Sequence, residues 1–174
     1  MFVKVIEAPT EDDWLKVKQR ALVTVGKDAN TPPTKAWKHA ILKARHSPIR
    51  RLWFSFYIEC PYWVSVHLCR HIHAQPYVQS QRNDRQSRYD RDKAQQNTEV
   101  KMILDVNAEE LMVIANKRLC SKAAPETRNL VEMMCAMAVN RCPELADFLV
   151  PMCVYHGNVC HEMYPCGRCS NTHD

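Results

Sequence analysis

The sequence predicts an α+β fold, on three observations. Two stretches, residues 1–8 and 51–59, alternate apolar with polar residues or run in aromatic and β-branched ones, the habit of strands. Several longer stretches repeat apolar residues at a spacing of three and four, the habit of helices. Prolines and short polar breaks separate the two kinds, with only 3 glycines against 10 prolines in 174 residues.

Met1–Ala8 (MFVKVIEA) reads as a strand that Pro9 ends. Glu11–Val25 reads as a helix through Trp14, Leu15, Val17, Leu22 and Val25. After the break Asn30-Thr31-Pro32-Pro33, Thr34–Ala44 forms a short helix with Ala36, Trp37, Ala40 and Ile41 on one face. A turn at His46-Ser47-Pro48 leads into the strand Arg51–Glu59 (RLWFSFYIE). Pro61 then stands at a helix start, where its missing N–H costs nothing. The helix Tyr62–Ala74 is expected to bury Trp63, Val66, Cys69 and Ile72. Ser80–Gln96 is polar and places Arg82, Arg85, Arg88 and Arg91 at every third position, the pattern of a solvated loop. Val100–Leu104 follows as a strand. Asn107 and Glu110 form an N-x-x-E cap on a helix through Leu111, Met112, Ala115 and Leu119. Pro125–Arg141 is a further helix along Leu130, Met134 and Ala138, its methionines filling core. Pro143–Val150 is expected as a last short helix.

The chain is 46% hydrophobic and 25% charged, an ordinary globular balance that excludes disorder throughout. No apolar run is long enough to span a bilayer. The first residues lack the basic-then-apolar pattern of a secretory leader, and the nine cysteines are odd in number. Both point to a reducing compartment, the cytoplasm, rather than a disulfide framework. Neither GxGxxG nor GxxxxGK[ST] occurs, so no glycine loop cradles a phosphate. The net charge of +5 suits an anionic ligand such as a nucleotide and does not call for a nucleic-acid polymer.

Arg70, Arg82, Arg91 and Arg118, with Ser80, are the candidates to hold such a ligand. Planar guanidinium forks match phosphate oxygens, and a hydroxyl adds a further donor. Spacing alone leaves a second reading open, because Arg70 and Arg118 at helix ends also complement the helix dipole.

The order of these residues is similar to a known family. Ser47–Ser80, SPIRRLWFSFYIECPYWVSVHLCRHIHAQPYVQS, resembles the signature region of the flavin-dependent thymidylate synthases. There a strand introduced by an (S/T)-P turn leads to a helix ending in Arg-His-Arg, then seven residues, then serine. Here Arg70-His71-Ile72 and Ser80 keep that spacing, and Arg82 keeps the arginine two residues later. Val106–Arg118, VNAEELMVIANKR, resembles the family's later helix, which opens on Asn-Ala and ends in a substrate-binding arginine.

The resemblance implies a central, mostly antiparallel sheet with packed helices over residues 1–150, and active sites at the interfaces of a homotetramer. It implies methylation of dUMP at C5, with methylenetetrahydrofolate as carbon donor, FAD as hydride carrier and NADPH as reductant. Ser80 and Arg118 would serve the chemistry, Ser80 as an activating residue rather than a nucleophile. His67, Arg70, Ser80, Gln81, Arg82, Arg91 and Arg118 would bind the nucleotide. Arg51, His71 and Asn107 would meet the flavin. On that side the chain departs from the pattern: Ile72 replaces the second arginine of Arg-His-Arg, Arg51 stands where histidine is usual, and Glu109 and Val113 replace polar or basic residues. Near the base, Val78 replaces a glutamate. FAD is therefore expected to bind, but weakly. The alternative is a non-catalytic nucleotide- or nucleic-acid-binding relative with a zinc-stapled tail.

Residues 151–174 shift in composition to Cys, His, Gly and Pro. Cys153, Cys160, Cys166 and Cys169 form C-x6-C-x5-C-x2-C, interleaved with His156, His161 and His173. Four thiolates, with His156 or His161 as a substitute ligand, could close a structural zinc site in a tail without a core of its own. Reduced, metal-free cysteines are the alternative.

Overall fold

The computed structural model describes residues 1–86 and 89–171. Arg88 and His173, singled out above, lie outside them. The fold is built on a four-stranded antiparallel sheet in the order β1-β2-β4-β3, with β1 at Phe2–Glu7, β2 at Trp53–Pro61, β3 at Gln75–Val78 and β4 at Glu99–Asn107. The α+β class and the antiparallel sheet hold. Alternation decides which face is covered. Phe54, Phe56, Ile58 and Cys60 of β2 and Val100, Met102, Leu104 and Val106 of β4 are buried, while Tyr57, Lys101 and Ile103 point to the other side.

Helix α1 (Glu11–Val23) starts on a capping box between Thr10 and Asp13. Helix α2 (Lys35–Lys43) is capped by Thr34, whose side chain accepts from Trp37 N–H. It buries Lys38 with Ile41 and Leu42, a choice apolar spacing does not reveal. The Lys38 ammonium reaches Glu11 at 2.5 Å and Glu144 at 2.9 Å, tying α1 and α2 to the turn after α5.

Helix α3 (Tyr62–Cys69) ends five residues before the expected Ala74. It buries Val64, Ser65 and Leu68 and leaves Val66 and Ile72 exposed, the reverse of the expected face. Tyr62 to Cys69 is apolar nearly all round, so its period does not say which side meets the sheet. Helices α4 (Ala108–Arg118) and α5 (Pro125–Arg141) follow the expected spans, with Leu130, Met134 and Ala138 fully buried. The short helix expected at Pro143–Val150 is a 3-10 turn, Pro143–Leu145, followed by turns. The chain closes with α6 (Met152–Tyr155) and a two-residue parallel pair, β5 (Val159–Cys160) and β6 (Ser170–Asn171).

Two register features position the site. Trp53 pairs with Asn107 at the end of β4, and Ala108 N–H donates to Leu52 C=O at 2.8 Å, fixing where α4 begins. Gln75 pairs with Asp105, so the chain between α3 and β3 passes beside that start.

Candidate functional site

The C-terminal ends of α3 and α4 meet at Arg118. Its Nη2 donates to His67 C=O at 3.1 Å and its Nε donates to His71 Nε2 at 3.1 Å. A guanidinium has no acceptor, so His71 Nε2 accepts and the imidazole proton sits on Nδ1. From there it is donated to Glu110 Oε1, 3.2 Å away. Glu110 is itself 6% exposed, and its N–H donates to the capping oxygen of Asn107 at 3.0 Å. The result is a chain from cap to carboxylate to imidazole to guanidinium.

Burial, with the Arg118 charge beside it, pushes the His71 imidazole down to about 4. Burial also holds the Glu110 carboxyl above its usual range, with the Glu109 charge adding to the shift. The His71–Glu110 contact is thus a hydrogen bond from a neutral ring, not an ion pair. His67 is pulled below the ordinary histidine value by burial and then by Arg118 and Arg70. Its Nδ1 lies 2.8 Å from Thr127 Oγ1 of α5. Arg118 is lowered by burial and by Arg70. Arg70 caps the end of α3. Among the described residues, neither Arg70 nor Arg118 pairs with a carboxylate. The two guanidiniums therefore repel one another here and disfavour protonation of the His67 ring, and a bound anion would relieve that repulsion.

The structure gathers His67, Arg70, His71, Asn107 and Arg118 among the expected residues, and places the rest elsewhere. Ser80 is exposed in the loop after β3, its Oγ accepting from Arg82 N–H at 3.3 Å and its C=O from the Gln86 amide. Gln81 follows it, half-buried. Arg82 grips Asp84 through two bonds, at 2.9 and 2.6 Å. Arg91 lies 4.0 Å from Asp92. No hydrogen bond or ion pair joins any of these four to Arg118 or His71 among the described residues. Arg51 turns toward Asp13 of α1, 3.9 Å away, and it is Arg50 that pairs with Glu109.

Beside the cluster, a polar cavity of about 350 Å³ is lined by Arg45, Arg50, His73, Asn107, Glu109 and Glu110, with Val113. Glu109 is neutralised by Arg50 rather than left to repel a ligand. Sequence reasoning missed Glu110 beyond its capping position, Thr127 as the partner of His67, and Arg50. Only the N-x-x-E cap signalled Glu110 at all. The four tail cysteines are not set as a coordination shell: among the described residues no three Cys, His, Asp or Glu side chains are placed to hold a metal.

The family model for thymidylate synthase complementing proteins (Thy1) matches residues 91–144, which hold β4, α4 and α5. The resemblance to the flavin-dependent thymidylate synthases holds. A solved structure, the UMP/dUMP methylase PolB from Streptomyces cacaoi bound with 5-Br dUMP, superposes with a TM-score of 0.67 at 15% identity, over 86% of this chain and 96% of that one. That likeness shows the shared fold. No curated protein matches the sequence. The matched segment contains Asn107, Glu110, Arg118 and Thr127 but not the Arg70–Ser80 motif.

Proposed function

We propose that this chain is a dUMP-modifying transferase: a flavin-dependent thymidylate synthase or close variant that carries one carbon from methylenetetrahydrofolate to C5 of dUMP, with NADPH as reductant. The observation that carries the reading is the pair of guanidiniums of Arg70 and Arg118, which no carboxylate pairs with among the described residues, with the uncharged ring of His67 beside them at the meeting of α3 and α4. A nucleotide monophosphate offers it two negative charges and several acceptors. The family match over residues 91–144 and the fold shared with a dUMP methylase support the same ligand.

Glu110 and His71 hold Arg118 in place, so its free guanidinium edge is aimed before the ligand arrives. Arg70 supplies the second charge. Ser80, Gln81, Arg82 and Arg91 would complete the pocket across an interface of the homotetramer, which suits their exposed loop. The cavity at Asn107 fits the polar rim of a flavin: Asn107 uses its Oδ1 as cap and keeps its amide N–H groups, while His73 and Arg50 add donors. When bound, FAD would supply the hydride chemistry. The chain's own task is to hold the nucleotide, orient it and keep His71 neutral. A cytoplasmic setting suits this nucleotide chemistry, and no helix among the described residues is long and apolar enough to cross a membrane.

The alternative of a nucleic-acid-binding relative finds less support. The loop arginines Arg82 and Arg91 lie against Asp84 and Asp92 rather than presenting unpaired charge. A fluorescence titration with FAD, with and without dUMP, tests the enzymatic reading. FAD binding strengthened by dUMP supports it. No FAD binding under either condition rejects it in favour of a nucleotide-binding module.

A further inference from the structure

Helix α2 ends on a residue that its backbone does not favour. Arg45 stands just past the helix at φ 48°, the left-handed region where glycine is usual. Its N–H donates to Leu42 C=O at 3.0 Å and that of His46 to Ile41 C=O at 3.3 Å, the paired bonds of such a helix end. Glycine would adopt this geometry freely. What arginine adds is a side chain, and the fold holds that side chain firmly. Nη2 donates to Asn116 Oδ1 at 2.5 Å, Nε donates to the Tyr155 hydroxyl at 3.2 Å, and the guanidinium lies 4.4 Å from the centre of the Tyr155 ring. Asn116 is fully buried, and its amide is fixed by donating to Val150 C=O at 2.7 Å and Phe148 C=O at 3.4 Å, which turns Oδ1 to Arg45.

These partners are neutral. Among the described residues no carboxylate pairs with Arg45. A guanidinium has five N–H groups, and those not given to Asn116 and Tyr155 have no partner among the described residues. This uncompensated charge lines the polar cavity beside Asn107. The two acids of that cavity are engaged elsewhere, Glu109 with Arg50 and Glu110 with His71. Glu109, Val113 and Asn116 follow one another at four and three residues, along one face of α4. Arg45, bonded to Asn116, therefore stands roughly 10 Å along the helix axis from Glu109. The cavity is thus polar at Asn107, apolar at Val113 and cationic at Arg45. That order suits a ligand with a hydrogen-bonding ring system at one end and an anionic group on a chain at the other.

We propose, resting on the flavin-dependent reading above, that Arg45 is the anion anchor of this cavity and binds the phosphate chain of the flavin nucleotide. Its planar fork makes charge-assisted bonds to phosphate oxygens, and a side chain already held by Asn116 and Tyr155 has little left to lose on binding. Ile72 leaves the motif one cation short, and Arg45 brings a charge from a different element, the end of α2.

The test titrates the full chain, with and without dUMP, against FAD, riboflavin phosphate and riboflavin, followed by flavin fluorescence. Wild-type protein should bind the two phosphorylated flavins at least about tenfold more tightly than riboflavin. Arg45→Gly suits the left-handed backbone and should keep the far-UV circular dichroism. It should lose about tenfold in affinity for FAD and riboflavin phosphate and stay within about twofold for riboflavin. Arg45→Lys, which keeps the charge but not the fork, should recover part of that loss. A residue that only staples α2 to α4 would weaken all three flavins alike, so an equal loss in Arg45→Gly overturns the anchor. So would equal wild-type affinity for the three, or a phosphate preference lost in Arg50→Gln and kept in Arg45→Gly. No binding of any flavin, with or without dUMP, rejects the flavin-dependent reading itself, and the anchor falls with it.

Discussion

At the residue scale, the site turns on why a histidine sits between an arginine and a carboxylate. A protonated His71 could not accept from Arg118, so the arrangement requires a neutral ring. Burial and the neighbouring guanidinium supply the reason, taking it from the ordinary 6.5 to about 4. Between those values the unfolded chain binds a proton that the folded chain refuses. This group's contribution to stability is therefore full above about 6.5 and is lost as the pH falls toward 4. Histidine NMR should show His71 titrating near 4, and a midpoint near 6.5 would remove it from the chain of hydrogen bonds. Arg118 carries the anion in this account. Arg118→Ala should weaken dUMP binding by about 1.5–3 kcal/mol, roughly ten- to a hundredfold, by calorimetry. Equal affinity in the two proteins would exclude Arg118 from the site.

At the scale of the element, α4 depends on its first residue. Asn107 closes β4, caps α4 and places Glu110 three residues on. Asn107→Ala should cost about 1 kcal/mol, a fall in Tm of roughly 2–4 °C, with Asn107→Asp restoring most of it. A Tm unchanged in the alanine variant would deny the cap its role. This cap was legible in the sequence because its signal is local: a side chain and a backbone N–H three residues apart. The strands were legible because one face is covered and the other is not. Helix α3 was not, since apolar residues on every side leave its orientation to the sheet and to the neighbouring helices. Arg70, His71 and Arg118 could be named from the motif order, but Glu110 and Thr127 could not. Their roles come from α4 and α5 packing against α3, over 39 and 60 residues of separation.

At the scale of the whole molecule, one chain gathers half of the expected site. His67, Arg70, His71 and Arg118 converge, while among the described residues the loop bearing Ser80, Arg82 and Arg91 makes no hydrogen bond or ion pair with them. An assembly that brings one copy's loop to another's helices would resolve this, and sedimentation should find a homotetramer. A monomer that turns over dUMP would contradict the shared-site reading. The flavin side should bind FAD weakly, because Ile72 is exposed and apolar where a cation is usual and Arg50 is already paired with Glu109. The central claim is that these parts perform carbon transfer to a pyrimidine, and one measurement meets it directly. Isotopically labelled dUMP, incubated with the protein, methylenetetrahydrofolate, FAD and NADPH, should return a nucleotide heavier by one carbon unit at C5 when analysed by mass spectrometry. Labelled dUMP recovered unchanged, with dUMP and FAD both shown to be bound, would contradict it.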